Sequence, residues 1–470
     1  MAKKAAGHQP RSVSAGCDPV STPASLVQVS RAKTRQNIEH NCHPRRGSRQ
    51  NLITRWRFWI GRTHLKHHDQ LDRIAELLGA DGLGLLILWV GLQRVFQAAP
   101  QLNPSVVSDG DVVNAEDISL TVVIPAFNES LNIKRSLGSV FQSLPPCGDW
   151  HVIVVDDMST DSTADLAQQC ATAMDQQHRF TLIQAGPRPP RERWVGKNWA
   201  CATAMDHVKS SWVLFIDADV ELRPTALRRA LLQAIDEQAD LFSLAPRLVC
   251  TCLAEWMVQP IMASLLGLGF PIVEANDPTS DVAFAAGPFM LFRRSAYEAI
   301  GGHRALAGEV VEDLALARTI KSSGFRLRYV LGLDAVDLQM YPNLSALWEG
   351  WTKNWFLGLD RNIPKALAAG GVVVLMFAAP WIFLPICAAF AVMSFGKTVI
   401  FAASSLLAAI AVVLQILLRF WIKDRFGVPV KFWWLMGVGG LLVGAIAPVS
   451  VWRSLTGRGW TWKGRPLATY

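Results

Sequence analysis

WVLFIDADVE, residues 212–221, is the stretch on which the reading of this chain turns. Val213, Leu214, Phe215 and Ile216 form the short apolar run of a buried strand, which breaks abruptly into Asp217-Ala218-Asp219. Side chains two apart on an extended segment point the same way, so both carboxylates can share one divalent cation at the strand end. An isolated DAD also reads as a strand-to-turn junction in which Asp forms the turn. The flanking sequence has to separate the two readings.

Composition bounds the problem. The chain has 470 residues, 51% of them hydrophobic, and a mean hydropathy of +0.23. That is enough for a sizeable core with apolar sequence left over, so a purely soluble protein is not expected. The net charge of +8 misleads about partners. Residues 1–80 hold 14 Lys/Arg against 5 Asp/Glu, which leaves 32 against 33 in the rest of the chain. The body is therefore near neutral, with no nucleic-acid footprint. Eight scattered Cys without a CxxC pair suggest reduced thiols on the cytoplasmic side. Residues 1–80 read as a basic leader, disordered to about residue 50 and without the pattern of a secretory signal. His64, His67 and His68 share helical spacing and read as a solvated helix face rather than a metal site. Residues 81–118 read as a short membrane or interfacial helix, interrupted by Gln93 and Arg94, followed by a polar linker.

A domain is expected over residues 119–343, where strand and helix patterns alternate. Strands are predicted at 120–124, 151–155, 181–184 and 213–216, and helices from Glu129, after Thr160 or Asp161, over 197–208 and after Pro224. That rhythm predicts a mainly parallel α/β sheet whose ligands lie at the carboxyl ends of its strands. Asn128, Glu129, Asp157, Asp217 and Asp219 all fall at such ends, which weakens the turn-only reading of the DAD. Further on, 284–288 and 290–292 read as short strands, with Gly287 as a bulge or a point of close approach by a ligand. The apolar piece between Cys252 and Asp281 reads as lying in the membrane interface or, equally, as packed in a core. Glu309, Glu312 and Asp313 open a helix ending at Lys321, with Gly324 just beyond.

Residues 344–365 form an amphipathic interfacial helix on this reading, with Trp348 and Trp355 as interface anchors. Residues 366–470 contain membrane segments at 366–395, 398–420 and 432–452, and a basic tail. Arg419, Lys423, Arg425 and Lys431 on one flank of the last segment, and Arg453, Arg458, Lys463 and Arg465 on the other, all ask for the cytoplasmic side. A single crossing cannot satisfy both. Gly437, Gly439, Gly440, Gly444 and Pro448 would permit a re-entrant hairpin instead.

Taken together, TVVIPAFNES, VIVVDDMSTDST, GKNWA, LFIDADVEL and EDLALARTIKSSG resemble the ordered motifs of family 2 glycosyltransferases with a GT-A fold, over roughly residues 119–357. WEGWTKN resembles a motif of hopene-associated and carotenoid-type membrane glycosyltransferases, in the place where processive synthases carry QxxRW. Absence of QxxRW argues against a long polymer product.

The resemblance implies a GT-A (Rossmann-like, mainly parallel) catalytic domain with an α-helical transmembrane region, on the cytoplasmic face of the membrane. It implies that Pro125, Asn128, Glu129 and Asp157 hold the base and ribose of a nucleotide-diphosphate sugar, and that Lys197 contacts its diphosphate. Asp219, helped by Asp217, would hold Mg²⁺ or Mn²⁺, and Asp313 would be the catalytic base beside Glu312. Trp351 would flank the acceptor and Lys353 would face departing phosphates. Local alternatives stay open: helix capping for Asp156 and Asp157, a solvated cation for Lys197, and dipole complementarity for Glu309, Glu312 and Asp313. The activity implied is inverting transfer of one sugar to a hydroxyl of a membrane lipid, a carotenoid or hopanoid-like terpenoid. Alternatives are transfer to polyprenyl phosphate, a step in polysaccharide synthesis, or a catalytically inactive scaffold or transporter.

Overall fold

The computed structural model describes residues 50–104, 118–190, 192–393, 398–426, 428–457, 461–463 and 465–466. The chain divides into residues 1–63 and 64–470, and the sheet domain and its apolar helices belong to the second unit. Residues 1–49 and the linker at 105–117 lie outside the described residues, as do the side chains of His64, His67, His68, Arg425, Arg458 and Arg465. The leader expected up to residue 80 ends sooner, because Gln50–Ala98 is one helix.

The strands are β1 (Ser119–Ala126), β2 (Asp149–Asp156), β3 (Phe180–Gln184), β4 (Trp212–Ile216), β5 (Val220–Leu222), β6 (Leu241–Ala245), β7 (Arg247–Leu248), β8 (Phe289–Arg293), β9 (Leu327–Leu331), β10 (Val336–Leu338), β11 (Thr461–Trp462) and β12 (Arg465–Pro466). Seven of them build the central sheet in the order β3-β2-β1-β4-β8-β6-β9. Within that sheet β8 alone runs against the rest, antiparallel to both β4 and β6. The expected mainly parallel α/β sheet is present. Strand alternation splits its core in two: Val122, Ile124, Val152 and Val154 pack on one face, and Val123, Ile153 and Val155 on the other.

Two local expectations fail for steric and hydrogen-bonding reasons. Residues 284–288 form no strand, and pairing begins only at Phe289. The helix expected from Glu129 begins instead at Ile133, because Asn128 adopts a left-handed φ of 51°, and its side chain is spent elsewhere, accepting from Thr160 N at 2.8 Å.

Among the described residues, four helices are long and apolar enough to cross a membrane: Ala75–Ala98, Ile363–Met393, Val399–Asp424 and Val430–Leu455. A third apolar core joins them to the Leu253–Gly269 and Leu344–Gly358 helices. Both helices that follow the sheet domain start on asparagine caps, Asn343 accepting from Ala346 N and Asn362 from Lys365 N. The last helix, Met436–Leu455, is unbroken. Its glycines do not form a hairpin; Gly439 instead lies where a Cβ would be 2.2 Å from the Met257 carbonyl oxygen. Trp355, expected as an outward interface anchor, is buried in the helical core, as is Trp351. The indole N–H of Trp351 donates to Gln259 Oε1 at 3.0 Å, and that of Trp355 to Ala366 O at 3.1 Å. Arg419, expected in a basic loop, lies inside the Thr398–Phe426 helix and is fully buried.

Candidate active site

A cavity of about 250 Å³ opens at the carboxyl ends of β1, β2 and β4, where neighbouring crossovers leave a crevice. Pro125 and Glu129 reach it from β1 and the turn after it, Asp157 from the end of β2, and Asp217 and Asp219 from the end of β4. Lys197 enters from the first turn of the Gly196–Met205 helix. Glu312 and Asp313 enter from the first turn of the Glu312–Ser322 helix. Lys353 completes the lining from the Leu344–Gly358 helix. Residues as far as 229 positions apart, Pro125 and Asn354, thus converge on one volume.

Two expected contributors do not line it. Asn128 turns its carboxamide to the β2 loop, where it accepts from Thr160 N, while Ser159 Oγ accepts from Asn128 N at 2.9 Å. Its work is to tie two loops together. Trp351 is held in the helical core by Gln259, so it does not flank the cavity.

Charge dominates the interior. Lys197 Nζ bridges Asp217 Oδ1 at 2.6 Å and Glu312 Oε1 at 2.7 Å. Burial alone would push this ammonium down, but the two carboxylates hold it well above the usual lysine range. Burial tends to raise Glu312, and Lys197 outweighs it, so that carboxyl is held below its ordinary value. Asp219 stands in the opposite situation. Burial, then Asp217 and Glu129, drive its carboxyl well up, and its Oδ1 is buried with no hydrogen-bond partner. A hard cation would relieve both conditions.

No group of three or more His, Cys, Asp or Glu among the described residues is placed to hold a metal alone. Two carboxylates fit Mg²⁺ or Mn²⁺ only if phosphate oxygens and water complete the coordination, which is how such ions commonly sit beside nucleotides.

Asp313 is held in place by backbone. Its Oδ2 accepts from Gly287 N at 3.1 Å and its Oδ1 from Leu314 N at 2.7 Å. Burial, then the charge of Glu312, push its carboxyl up to about 6. It remains mostly ionised at neutral pH while being a stronger base than a solvated aspartate. Gly287 gives this carboxylate room to reach its backbone, since a Cβ there would lie 2.9 Å from Asp313 Oδ2.

Three polar residues escape the sequence reading. Arg188 Nη2 pairs with Asp157 Oδ2 at 3.0 Å and lines the cavity. It sits in the proline-rich segment GPRPPRERW, which carries no strand or helix period. Asn198 donates through Nδ2 to the carbonyls of Leu306 at 2.7 Å and Glu309 at 2.8 Å, fixing the approach to the Glu312–Ser322 helix. It lies within GKNWA, next to Lys197, and that position was the only signal for it. Lys463 reaches Glu129 Oε1 at 2.6 Å from the far end of the chain.

Known proteins resemble this chain at the level of its family. The family model described as Glycosyl transferase family 2 matches residues 121–301. A protein named 4,4'-diaponeurosporenoate glycosyltransferase, from Staphylococcus aureus strain bovine RF122 / ET3-1, is 30% identical over 291 residues, which are 61% of this chain and 73% of the relative. Its counterpart from strain MRSA252 is 29% identical over 295 residues, with the same coverage. Among solved structures, a mannosyltransferase from Pyrobaculum calidifontis in complex with GDP-Man and Mn2+ aligns with 81% of this chain and 99% of its own, at 18% identity and a TM-score of 0.42.

Proposed function

The chain belongs to glycosyl transferase family 2, and from that premise we propose that it transfers one sugar, with inversion, from a nucleotide-diphosphate sugar to a hydroxyl of a membrane-embedded terpenoid of the carotenoid class. That it is a glycosyltransferase follows from the family. Donor, stereochemistry and acceptor are our reading of the cavity.

The observation that carries the reading is Asp219. A buried carboxylate oxygen without a partner, two residues from Asp217 at the end of β4, is costly unless a cation belongs there. Asp219, helped by Asp217, would hold Mg²⁺ or Mn²⁺, which supplies charge neutralisation for a leaving diphosphate. Lys197 and Lys353, both lining the cavity, add fixed positive charge on the same side. Glu129 and Asp157 sit where the base and ribose of the donor would lie, and Arg188 keeps Asp157 in position. Asp313 takes the proton of the acceptor hydroxyl as its oxygen attacks the anomeric carbon. The apolar helices hold the site at the membrane surface, on the cytoplasmic side, where nucleotide sugars are made.

A second reading of the acceptor comes from the relatives' name, since diaponeurosporenoate denotes a carboxylate. A carboxylate is already ionised and needs no base. Asp313 separates the two cases, because only a hydroxyl acceptor depends on it.

Asp219→Asn tests the carrying observation. It keeps the size and hydrogen bonding of the side chain and removes an anionic ligand. Sugar transfer should fall by roughly 10²-fold or more and lose its response to added Mn²⁺. Turnover within a few fold of wild type, with an unchanged Mn²⁺ response, would remove the metal from the mechanism.

A further inference from the structure

From sequence, the basic tail reads only as a topological charge. In the structure it folds back onto the sheet domain. Strands β11 and β12 pair antiparallel, and the turn between them carries Lys463 at a φ of 49°. Its ammonium donates to Phe127 O at 3.2 Å and Asn128 O at 2.8 Å, and pairs with Glu129 Oε1 at 2.6 Å. Three oxygens from three successive residues form a cation cradle, and a lysine from more than three hundred positions away fills it.

The cradle belongs to the loop that leaves β1 for the cavity. Phe127 and Glu129 both line that cavity. The N–H groups of Asn128 and Glu129 are already committed, to Ser159 Oγ at 2.9 Å and Thr163 Oγ1 at 2.8 Å. The loop is therefore tied from the β2 side through its N–H groups and from the tail through its carbonyls. Without Lys463, two carbonyls and a carboxylate that is only 13% exposed would face one another without a counter-charge. Glu129 is also one of the carboxylates that raise Asp219. Neutralising it lowers the negative charge that a diphosphate would meet on entry.

We propose that Lys463 is a positioning residue of the donor site, and that the carboxyl-terminal hairpin clamps the 127–129 loop in the conformation that receives the nucleotide. The hairpin comes after the Met436–Leu455 helix in the chain, so the clamp also ties the segment that follows the apolar helices to the nucleotide end of the cavity. This inference rests on the donor reading above for the identity of the ligand.

The test uses the full-length protein in detergent or nanodiscs, with UDP and GDP as calorimetric probes in the presence of Mn²⁺. For whichever nucleotide the wild type binds, Lys463→Met should weaken binding by about 10-fold, which corresponds to about 1.4 kcal/mol. The KM for the corresponding sugar donor should rise by a similar factor, with kcat within about 3-fold and the acceptor KM unchanged. Lys463→Arg, which keeps the charge and can still donate to both carbonyls, should restore most of the affinity. A purely structural role would instead lower the melting temperature and all kinetic constants together. Lys463→Met with wild-type nucleotide affinity and donor KM overturns the clamp while leaving the glycosyltransferase reading intact. A wild-type protein that binds neither nucleotide and turns over no nucleotide sugar overturns the donor reading, and the clamp with it.

Discussion

Asp313 shows how much one residue's role depends on contacts that sequence does not display. Its place in the first turn of a helix is legible, and by itself would mean only a complement to the helix dipole, worth about 0.3 to 1 kcal/mol. Burial next to Glu312 changes the sign of its contribution. A carboxyl whose folded value is raised to about 6 binds protons more tightly than in the unfolded chain. The stability it confers is therefore present at acid pH and is lost as pH rises toward and through 6. Asp313→Asn should be at least as stable as wild type at pH 7 by thermal melting, whereas the dipole role predicts a loss. Transfer to a hydroxyl acceptor should fall by roughly 10²-fold while nucleotide binding stays within a few fold. The groups facing this carboxyl are Glu312, Lys197, Lys353, Tyr329 and the N–H groups of Gly287 and Leu314. In the wild type, kcat/KM should fall about tenfold per pH unit below about 6, the region in which Asp313 takes up its proton. A flat profile from pH 5 to 8, together with an active Asp313→Asn protein, would leave the site without its base and favour a carboxylate acceptor. Asp217 and Asp219 can be singled out from sequence because they stand where the apolar run of a strand breaks, whereas Asp313 is legible locally only as an acid opening a helix and takes its expected role from the family resemblance. Asn128 and Trp351 cannot be placed that way, because their partners, Thr160 and Gln259, lie 32 and 92 positions away.

At the scale of the element, composition is most deceptive in the Met436–Leu455 helix. Gly437, Gly439, Gly440 and Gly444 suggest a chain able to turn back, yet they form a row along which other helices approach closely. A Cβ on Gly437 would meet Trp381, one on Gly440 would meet Phe377, and one on Gly444 would meet Val374. The descending partner numbers show that this helix runs antiparallel to the helical stretch from Ile363 to Met393. Small residues at a helix interface let backbones approach, which is how apolar helices associate where hydrophobic burial offers no net gain. Strand and helix positions in the sheet domain are easier to read, because alternation with period two is a local property, whereas the use of a glycine is settled by what packs on it. Gly439→Ala should therefore cost about 1 to 3 kcal/mol and lower the melting temperature in detergent, since the Met257 backbone must move. Gly371→Ala is the control. No atom lies within 4 Å of a Cβ at Gly371, and alanine is the better helix former. Equal tolerance at both positions would reject the close packing.

The whole molecule places both flanks of the Met436–Leu455 helix against the sheet domain and its first apolar helix. On the amino-terminal flank, Phe432 stacks on Trp256 at 4.8 Å. Arg419 Nη1 donates to Trp256 O at 2.6 Å, and its Nη2 to Pro429 O at 2.8 Å. Trp256 in turn donates to Cys250 O at 2.9 Å, next to β7. On the carboxyl-terminal flank, Ser450 Oγ donates to Thr352 O at 2.6 Å, and Lys463 reaches Asn128. A helix of 20 residues is about 30 Å long, long enough to cross a bilayer if it stood upright. Contacts with the Leu253–Gly269 and Leu344–Gly358 helices at its two ends, and the reach of Lys463 to Asn128, argue that it lies beneath the sheet domain instead. Its most apolar window is 56% buried inside the protein, against 28% to 33% for the other three candidate spans. The two basic flanks then sit on the same side without any hairpin, which removes the conflict that the sequence posed. Val392, Met393 and Val399, apolar residues at the ends of two candidate spans, are 76% to 86% exposed, which suits side chains that face lipid. Single cysteines at Lys431 and Thr456, in an otherwise cysteine-free protein in oriented vesicles, should both react with a membrane-impermeant maleimide applied from the catalytic face. A cysteine at Met393 should stay unlabelled from that face. Labelling of Lys431→Cys and Thr456→Cys from opposite faces would mean that the last helix crosses the membrane. The contact of Arg419 with Trp256 O and that of Lys463 with Asn128 O would then have to lie on opposite faces.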